Sequence, residues 1–299
     1  MVVSIVTALA FQIVIPFIIM AMLVRSLAVT APRQANFRGI LVYSGLGIVW
    51  FVWLVSFWVG AHLLVAAGIE QPAWISYCIP LFPLVSGACA FGLFDDWVGD
   101  RDAKGFRGHL RALLSGVLTT GGLKMLGIGF LSLFTTVSLF WNGIVAVPRI
   151  VLATCVIALM ANFMNLFDLR PGRCGKVYLV ALALAVLAVA TSALVSLPAA
   201  DIVALALAGI GPLVAVWRFD LGEKGMLGDA GANSMGAFLG YLYATTLPLW
   251  GLAVLTAVLA VLNVASEKVS FSKVIEGNRV LVFLDNLGRK RGGRPGGAD

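Results

Sequence analysis

Apolar residues fill long, almost unbroken stretches of this chain, without the polar face that recurs along a helix at the surface of a soluble domain. About 20 such residues, at a rise of ~1.5 Å each, cross a hydrocarbon core ~30 Å thick. Nine runs of this kind are predicted, near 3–24, 39–65, 75–94, 110–141, 144–166, 178–198, 201–217, 230–248 and 250–266. Backbone polar groups in lipid must be paired within the segment, so each run is expected to be a helix. The alternating pattern of a membrane β-barrel, in segments of about ten residues, is absent. The expected fold is therefore all-α, a polytopic transmembrane helical bundle of roughly nine to ten spans. It forms one domain over 1–288, followed by a basic, Gly-rich tail at 289–299 that is expected to be disordered.

Two runs need comment. The first has no basic segment before it and Arg25 after it, so it reads as a retained span and not a signal peptide. The fourth is too long for one straight span and contains Gly121, Gly122 and Lys124. It is expected to be tilted, broken, or made of two short helices.

Composition agrees with the pattern. Apolar residues are 61% of the 299 positions and charged residues 12%, against about 25% charged in soluble domains. The net charge of +7 could suit nucleic acid. Its distribution instead follows the cytoplasmic bias of Lys and Arg in membrane proteins, so no nucleic-acid partner is expected. Cys78, Cys89, Cys155 and Cys174 form no C-x-x-C pair and read as small apolar residues.

With the N-terminus outside and nine alternating spans, every Lys and Arg except Lys124 and Arg149 falls in an inner loop, an adjoining helix end or the C-terminal segment. That bias places the C-terminus in the cytoplasm. Every Asp and Glu except Glu70 and Asp201 falls on the same side. Three acidic sites lie where an inner loop meets a span: Asp95-Asp96, Asn162-x-x-Asn165-x-x-Asp168, and Gly228-Asp229-Ala230-Gly231. Carboxylates at the edge of hydrocarbon are costly unless paired or bound to a cation. Mg²⁺ suits them, because it takes one or two carboxylates and keeps positions for water and phosphate oxygens. At ~100° per residue, Asn162, Asn165 and Asp168 are predicted to share one helix flank. Interhelical hydrogen bonding explains such a stripe equally well. Lys104, Arg107 and Arg111 follow the Asp pair, and Arg170, Arg173 and Lys176 follow Asp168. They suit a diphosphate ligand, or report topology and attraction to membrane lipid. Lys124 is given no catalytic role; it is expected to snorkel or to pair within the bundle.

These motifs, in this order, resemble the polyprenyl-phosphate N-acetylhexosamine-1-phosphate transferases, the family that includes phospho-N-acetylmuramoyl-pentapeptide transferase. Asn36-Phe37-Arg38-Gly39 is similar to that family's first inner loop, Gly92-Leu93-Phe94-Asp95-Asp96 to its aspartate pair, and Lys104-Gly105-Phe106 with Arg107 and Arg111 to its basic stretch. Asn162, Asn165 and Asp168 resemble its Asn/Asn/Asp motif, and Leu227-Gly228-Asp229-Ala230-Gly231 with Gly236 its Gly-Asp motif. The resemblance implies a bacterial inner-membrane enzyme with a cytoplasmic active site. Such an enzyme transfers sugar-1-phosphate from a UDP-activated amino sugar to polyprenyl phosphate with Mg²⁺, releasing UMP. It implies Asp229 as metal ligand, and Asp95, Asp96 and Asp168 as catalytic or supporting carboxylates. Asn36, Lys104, Arg107, Arg111, Asn162 and Asn165 would contact substrate. A homodimer is also implied.

Three departures bear on donor recognition. Leu169-Arg170-Pro171-Gly172 replaces the Gly-x-Asp-Gly that usually follows Asp168's counterpart. The inner segment near Ser266–Ser270 has no histidine motif. A final outer span is not apparent after Ala265, and 274–287 is expected to be an amphipathic interfacial helix. The alternatives are a non-catalytic relative that binds polyprenyl phosphate or an assembly partner, and a transporter. Transporters commonly hold ionisable groups near the bilayer midplane, whereas these acids sit at helix ends.

Overall fold

The computed structural model of the chain describes residues 1–99 and 105–289. Its fourteen α-helices are, in order, α1 (Val2–Ala8), α2 (Ile15–Thr30), α3 (Val49–Ala66), α4 (Ala73–Cys78), α5 (Leu81–Val98), α6 (Gly105–Leu114) and α7 (Thr120–Phe140). There follow α8 (Val147–Asn165), α9 (Arg173–Thr191), α10 (Ala199–Leu221), α11 (Gly228–Thr246), α12 (Leu249–Ser266), α13 (Phe271–Glu276) and α14 (Arg279–Asn286). Among the described residues, eight helical stretches are long and apolar enough to cross a membrane: Val2–Thr30, Leu46–Ala66, Leu81–Val98, Thr120–Phe140, Ile144–Asn165, Arg173–Thr191, Ala199–Leu221 and Leu249–Ser266. The polytopic helical class is thus the observed one.

The first stretch is continuous from Val2 to Thr30. A π-helical turn at Leu9–Val14 joins α1 to α2. Pro16 accounts for it, since it cannot donate to the carbonyl of Gln12 and its ring crowds that carbonyl. The long fourth run is broken. Gly116, with φ +84°, ends α6, and Thr119 caps α7 by accepting a hydrogen bond from Gly122 N–H at 3.1 Å.

Helix α11 forms the centre, packed most extensively against α8 and α5 and then α9. All but Asp229 and Tyr243 of its 19 residues are buried. Small residues permit this. A Cβ on Gly240 would stand 2.6 Å from Ile157 Cα, and one on Gly92 of α5 would stand 2.5 Å from Ala230 N. Gly236 lies equally close to the backbone of Met160 and Ala161. The small-residue spacing therefore serves helix contact. Around this centre, Trp50, Trp53 and Phe238 form a fully buried aromatic group.

The all-α expectation omitted one feature. Strands β1 (Arg33–Ala35), β2 (Leu41–Ser44) and β3 (Gly225–Met226) form a small sheet in that order. β1 and β2 are antiparallel with Gln34 opposite Val42. β2 and β3 are parallel, with Tyr43 opposite Gly225 and Ser44 opposite Met226. The sheet ties the loop after α2 to the segment that enters α11.

The C-terminal segment also differs from the expected single interfacial helix. It forms two short helices, interrupted at Gly277–Asn278, that fold back onto the start of α9. Asp285 is buried there, while Val280, Phe283 and Leu284 remain exposed. The expected disordered tail, apart from Arg289, lies outside the described residues.

Candidate functional site

Asp95 and Asp96 occupy the last turn of α5, and Asp229 the first turn of α11. The packing of Gly92 against Ala230 draws these two helix ends together. Both carboxylate oxygens of Asp96 accept backbone hydrogen bonds, from Asp229 N–H at 2.9 Å and Ala230 N–H at 3.1 Å. Asp96 thus satisfies orphan donors at the start of α11 and complements its dipole. Gly228, at φ +70°, makes the turn into the helix, and a Cβ there would collide with the Asp96 carboxylate.

Asp95 and Asp229 are arranged differently. Lys124, one turn into α7, donates to Asp95 Oδ2 at 2.7 Å and also to Asp229 Oδ2. One ammonium therefore bridges two carboxylates from different helices. The side chains of Asp95 and Asp229 keep 17% and 24% exposure, so the bridge remains open to a ligand. Lys124, set apart from the site by sequence reasoning, lies at its centre. Gly121 and Gly122, where the sequence suggested an interruption, lie inside α7, and the new helix starts just before them at Thr120.

Asp168 lies in the turn after α8, beside the Gly228 N–H, which favours its charged form. Burial pushes its carboxyl well above the usual carboxylate range, and the nearby charges of Asp220, Asp96 and Asp229 push it further. Asp220, at the end of α10, accepts from Gly172 N–H at 2.8 Å.

The expected common flank of Asn162, Asn165 and Asp168 does not form, because α8 ends at Asn165. Asn162 turns to α12 and donates to Asn263 Oδ1 at 2.5 Å, an interhelical contact. Asn165 makes no side-chain hydrogen bond among the described residues. Asn36 shapes the tip of the β1–β2 hairpin. Its Oδ1 accepts from Arg38 N–H at 2.9 Å and Ile40 N–H at 3.0 Å, and its Nδ2 donates to Glu223 at 3.1 Å. Arg111 is exposed on α6. Lys104 lies outside the described residues, as does the side chain of Arg107.

The loop that replaces the resembled family's second acidic motif has structural partners here. Arg173 donates to Asp285 through Nε at 2.8 Å and Nη2 at 3.0 Å, and to Ser272 at 2.7 Å. Arg289 donates to the Pro171 carbonyl at 3.1 Å and pairs with Asp285 at 3.3 Å. Arg170 pairs with Glu276. The C-terminal strap is therefore fastened to the segment that follows Asp168.

As a metal site, the cluster offers hard oxygen donors of the kind Mg²⁺ prefers. Asp96 is engaged by backbone, which leaves Asp95 and Asp229 as the accessible carboxylates. No group of three or more His, Cys, Asp or Glu is arranged to hold a metal ion among the described residues. The donor set fits a cation that takes two protein carboxylates and fills its remaining positions from water and substrate.

The fold and this cluster define a class: a polytopic helical membrane protein with an Asp–Lys–Asp centre at one end of its bundle. No protein-family model matches the chain, and no curated protein matches it.

Proposed function

We propose that the chain is a Mg²⁺-dependent sugar-1-phosphate transferase, a divergent relative of the family its motifs resemble. In this reading α11 is a ninth span beside the eight apolar ones, the N-terminus is outside, and the carboxylate cluster faces the cytoplasm of a bacterial inner membrane. The observation that carries the reading is the convergence of Asp95, Asp229 and Lys124 from three separate helices at one bundle end. A structural ion pair needs only two partners, whereas a phosphoryl-transfer site needs opposed charges held around a diphosphate.

The reaction joins an oxygen of polyprenyl phosphate to the β-phosphorus of a UDP-activated amino sugar. The bond from that phosphorus to the bridging oxygen breaks, and UMP leaves with the oxygen. Asp229 and Asp95 would hold Mg²⁺, which when bound neutralises charge developing on the diphosphate. Lys124 supplies a fixed positive charge beside both carboxylates. It is placed to receive a phosphate oxygen in exchange for one of them. Asp96 and Asp168 act as positioning residues, since both meet backbone N–H groups at the entry to α11.

The second reading is a non-catalytic relative that binds polyprenyl phosphate. The closure of Lys124 over both carboxylates favours it, because the ammonium already offsets half of their charge. Acids at helix ends remain an argument against a transporter.

One assay separates these readings. Purified protein with Mg²⁺, undecaprenyl phosphate and a panel of UDP-sugars should release UMP with at least one donor, and Asp229→Ala should lower release at least 100-fold, about 2.7 kcal/mol of transition-state stabilisation. Equal turnover by the variant removes the metal assignment. No turnover with any donor, together with retained binding of undecaprenyl phosphate, favours the second reading.

A further inference from the structure

A groove outside the carboxylate cluster has the makings of a separate site. It lies between α2, the β1–β2 hairpin and the end of α10, with a volume of about 790 Å³. Arg25, Arg33, Arg218 and Lys224 line it from these different segments. None of the four pairs with a carboxylate among the described residues. Arg33 donates only to the carbonyl of Ala28 at 3.3 Å. The guanidinium of Arg218 rests over Phe17 and Phe219, at 5.1 and 4.6 Å from the ring centres. Such stacking orients a guanidinium without neutralising it.

Tyr43 also contributes to the wall of the groove. It is 5% exposed, and its hydroxyl is closed to solvent and has no partner among the described residues. The Tyr43 ring packs on Gly225, where a Cβ would collide with it. The sheet therefore fixes the ring.

Apolar wall accompanies this polar set. Val24 and Ala28 of α2 and Phe219 of α10 line the same groove, and both helices belong to membrane-crossing stretches. Four cations at the end of two spans, above an apolar cleft, match a phosphate carrying hydrocarbon chains. A free anion would gain nothing from the apolar wall. No carboxylate of the candidate site lines the groove.

We infer that this groove binds the headgroup of an anionic phospholipid, its phosphate held by Arg25, Arg33, Arg218 and Lys224, and its acyl chains against α2 and α10. The site is independent of the transferase reading.

The test uses the full chain in nanodiscs that mix phosphatidylglycerol with phosphatidylcholine, with retained lipid counted by native mass spectrometry after release into detergent. The wild type should retain phosphatidylglycerol over phosphatidylcholine. Arg25→Gln with Arg218→Gln should lower that retention roughly thirtyfold, since each basic residue near a membrane surface is worth about 1 kcal/mol. Lys268→Gln with Lys273→Gln removes the same charge from the C-terminal segment and should leave retention unchanged. Equal loss in that control would reduce the effect to general surface charge and overturn the site. Unchanged retention in the Arg25/Arg218 variant would overturn it as well. Displacement of the lipid by millimolar inorganic phosphate would assign the groove to a free anion and reject the lipid.

Discussion

Lys124 holds together two carboxylates more than a hundred positions apart in the chain, and it does so from a helix that crosses the membrane. A charge in that setting is retained only with partners. Removing it would leave Asp95 and Asp229 facing each other without compensation, and breaking a buried pair in this way costs on the order of 3–5 kcal/mol. Lys124→Met should therefore lower thermal stability in detergent by a loss near the bottom of that range, given the partial exposure of both acids, and should abolish UMP release. Lys124→Arg should recover stability more than turnover, because a planar guanidinium cannot stand in for a compact ammonium. Asp95 and Asp229 were readable in the sequence from their placement at span ends. Lys124 was not, since the long run from 110 to 141, although expected to be tilted or broken, keeps it outside the inner loops. The break depends on Gly116 and the Thr119 cap, two local backbone events that hydropathy does not register.

At the scale of the element, the stripe of Asn162, Asn165 and Asp168 shows where periodicity fails. Helical spacing holds only while the helix continues, and α8 stops at Asn165. The sequence marked the motif and not the turn that separates its members. The small residues of α11 were legible as a packing stripe, and the close approach of Gly240 to Ile157 is its physical content. Gly240→Leu should destabilise the bundle by about 1–3 kcal/mol or more through overpacking, measured as a lower unfolding midpoint with α8 exposed to hydrogen exchange. The C-terminal strap makes a pH prediction. Burial raises the Asp285 carboxyl, but the hydrogen bonds and charge of Arg173, with Arg289, more than offset it and hold the group below the usual carboxylate range. The folded value is thus depressed, so this contribution is present above about pH 4 and lost as pH falls through the folded value. Proteolysis of 271–289 should be slow at pH 7 and accelerate below about pH 4. Asp285→Asn should be cut readily at both, because Arg173 would stay buried without its counter-charge.

For the whole molecule, the bundle class was legible because apolar run length is nearly sufficient to define spanning helices. The sheet was not, since strands of two to four residues, one of them remote in sequence, leave no periodic trace. The proposed orientation predicts a fluorescent protein fused after Asp299 to glow, and a periplasmic phosphatase fused there to be inactive; the reverse pattern would place the carboxylate cluster outside. Helix α11 carries one last consequence. It lies at the centre, is not among the eight strongly apolar stretches, and carries Asp229 and Asn233. A segment of this kind gains little by entering lipid alone. Its membrane entry during synthesis must then wait on α5, α8 and α9, which precede it in the chain and offer the slot it fills. Biogenesis of this protein is accordingly sequential, with the site completed only when the eleventh helix leaves the translocation machinery, and a ribosome stalled before Gly225 would expose a bundle with an open centre to the quality-control proteases of the membrane.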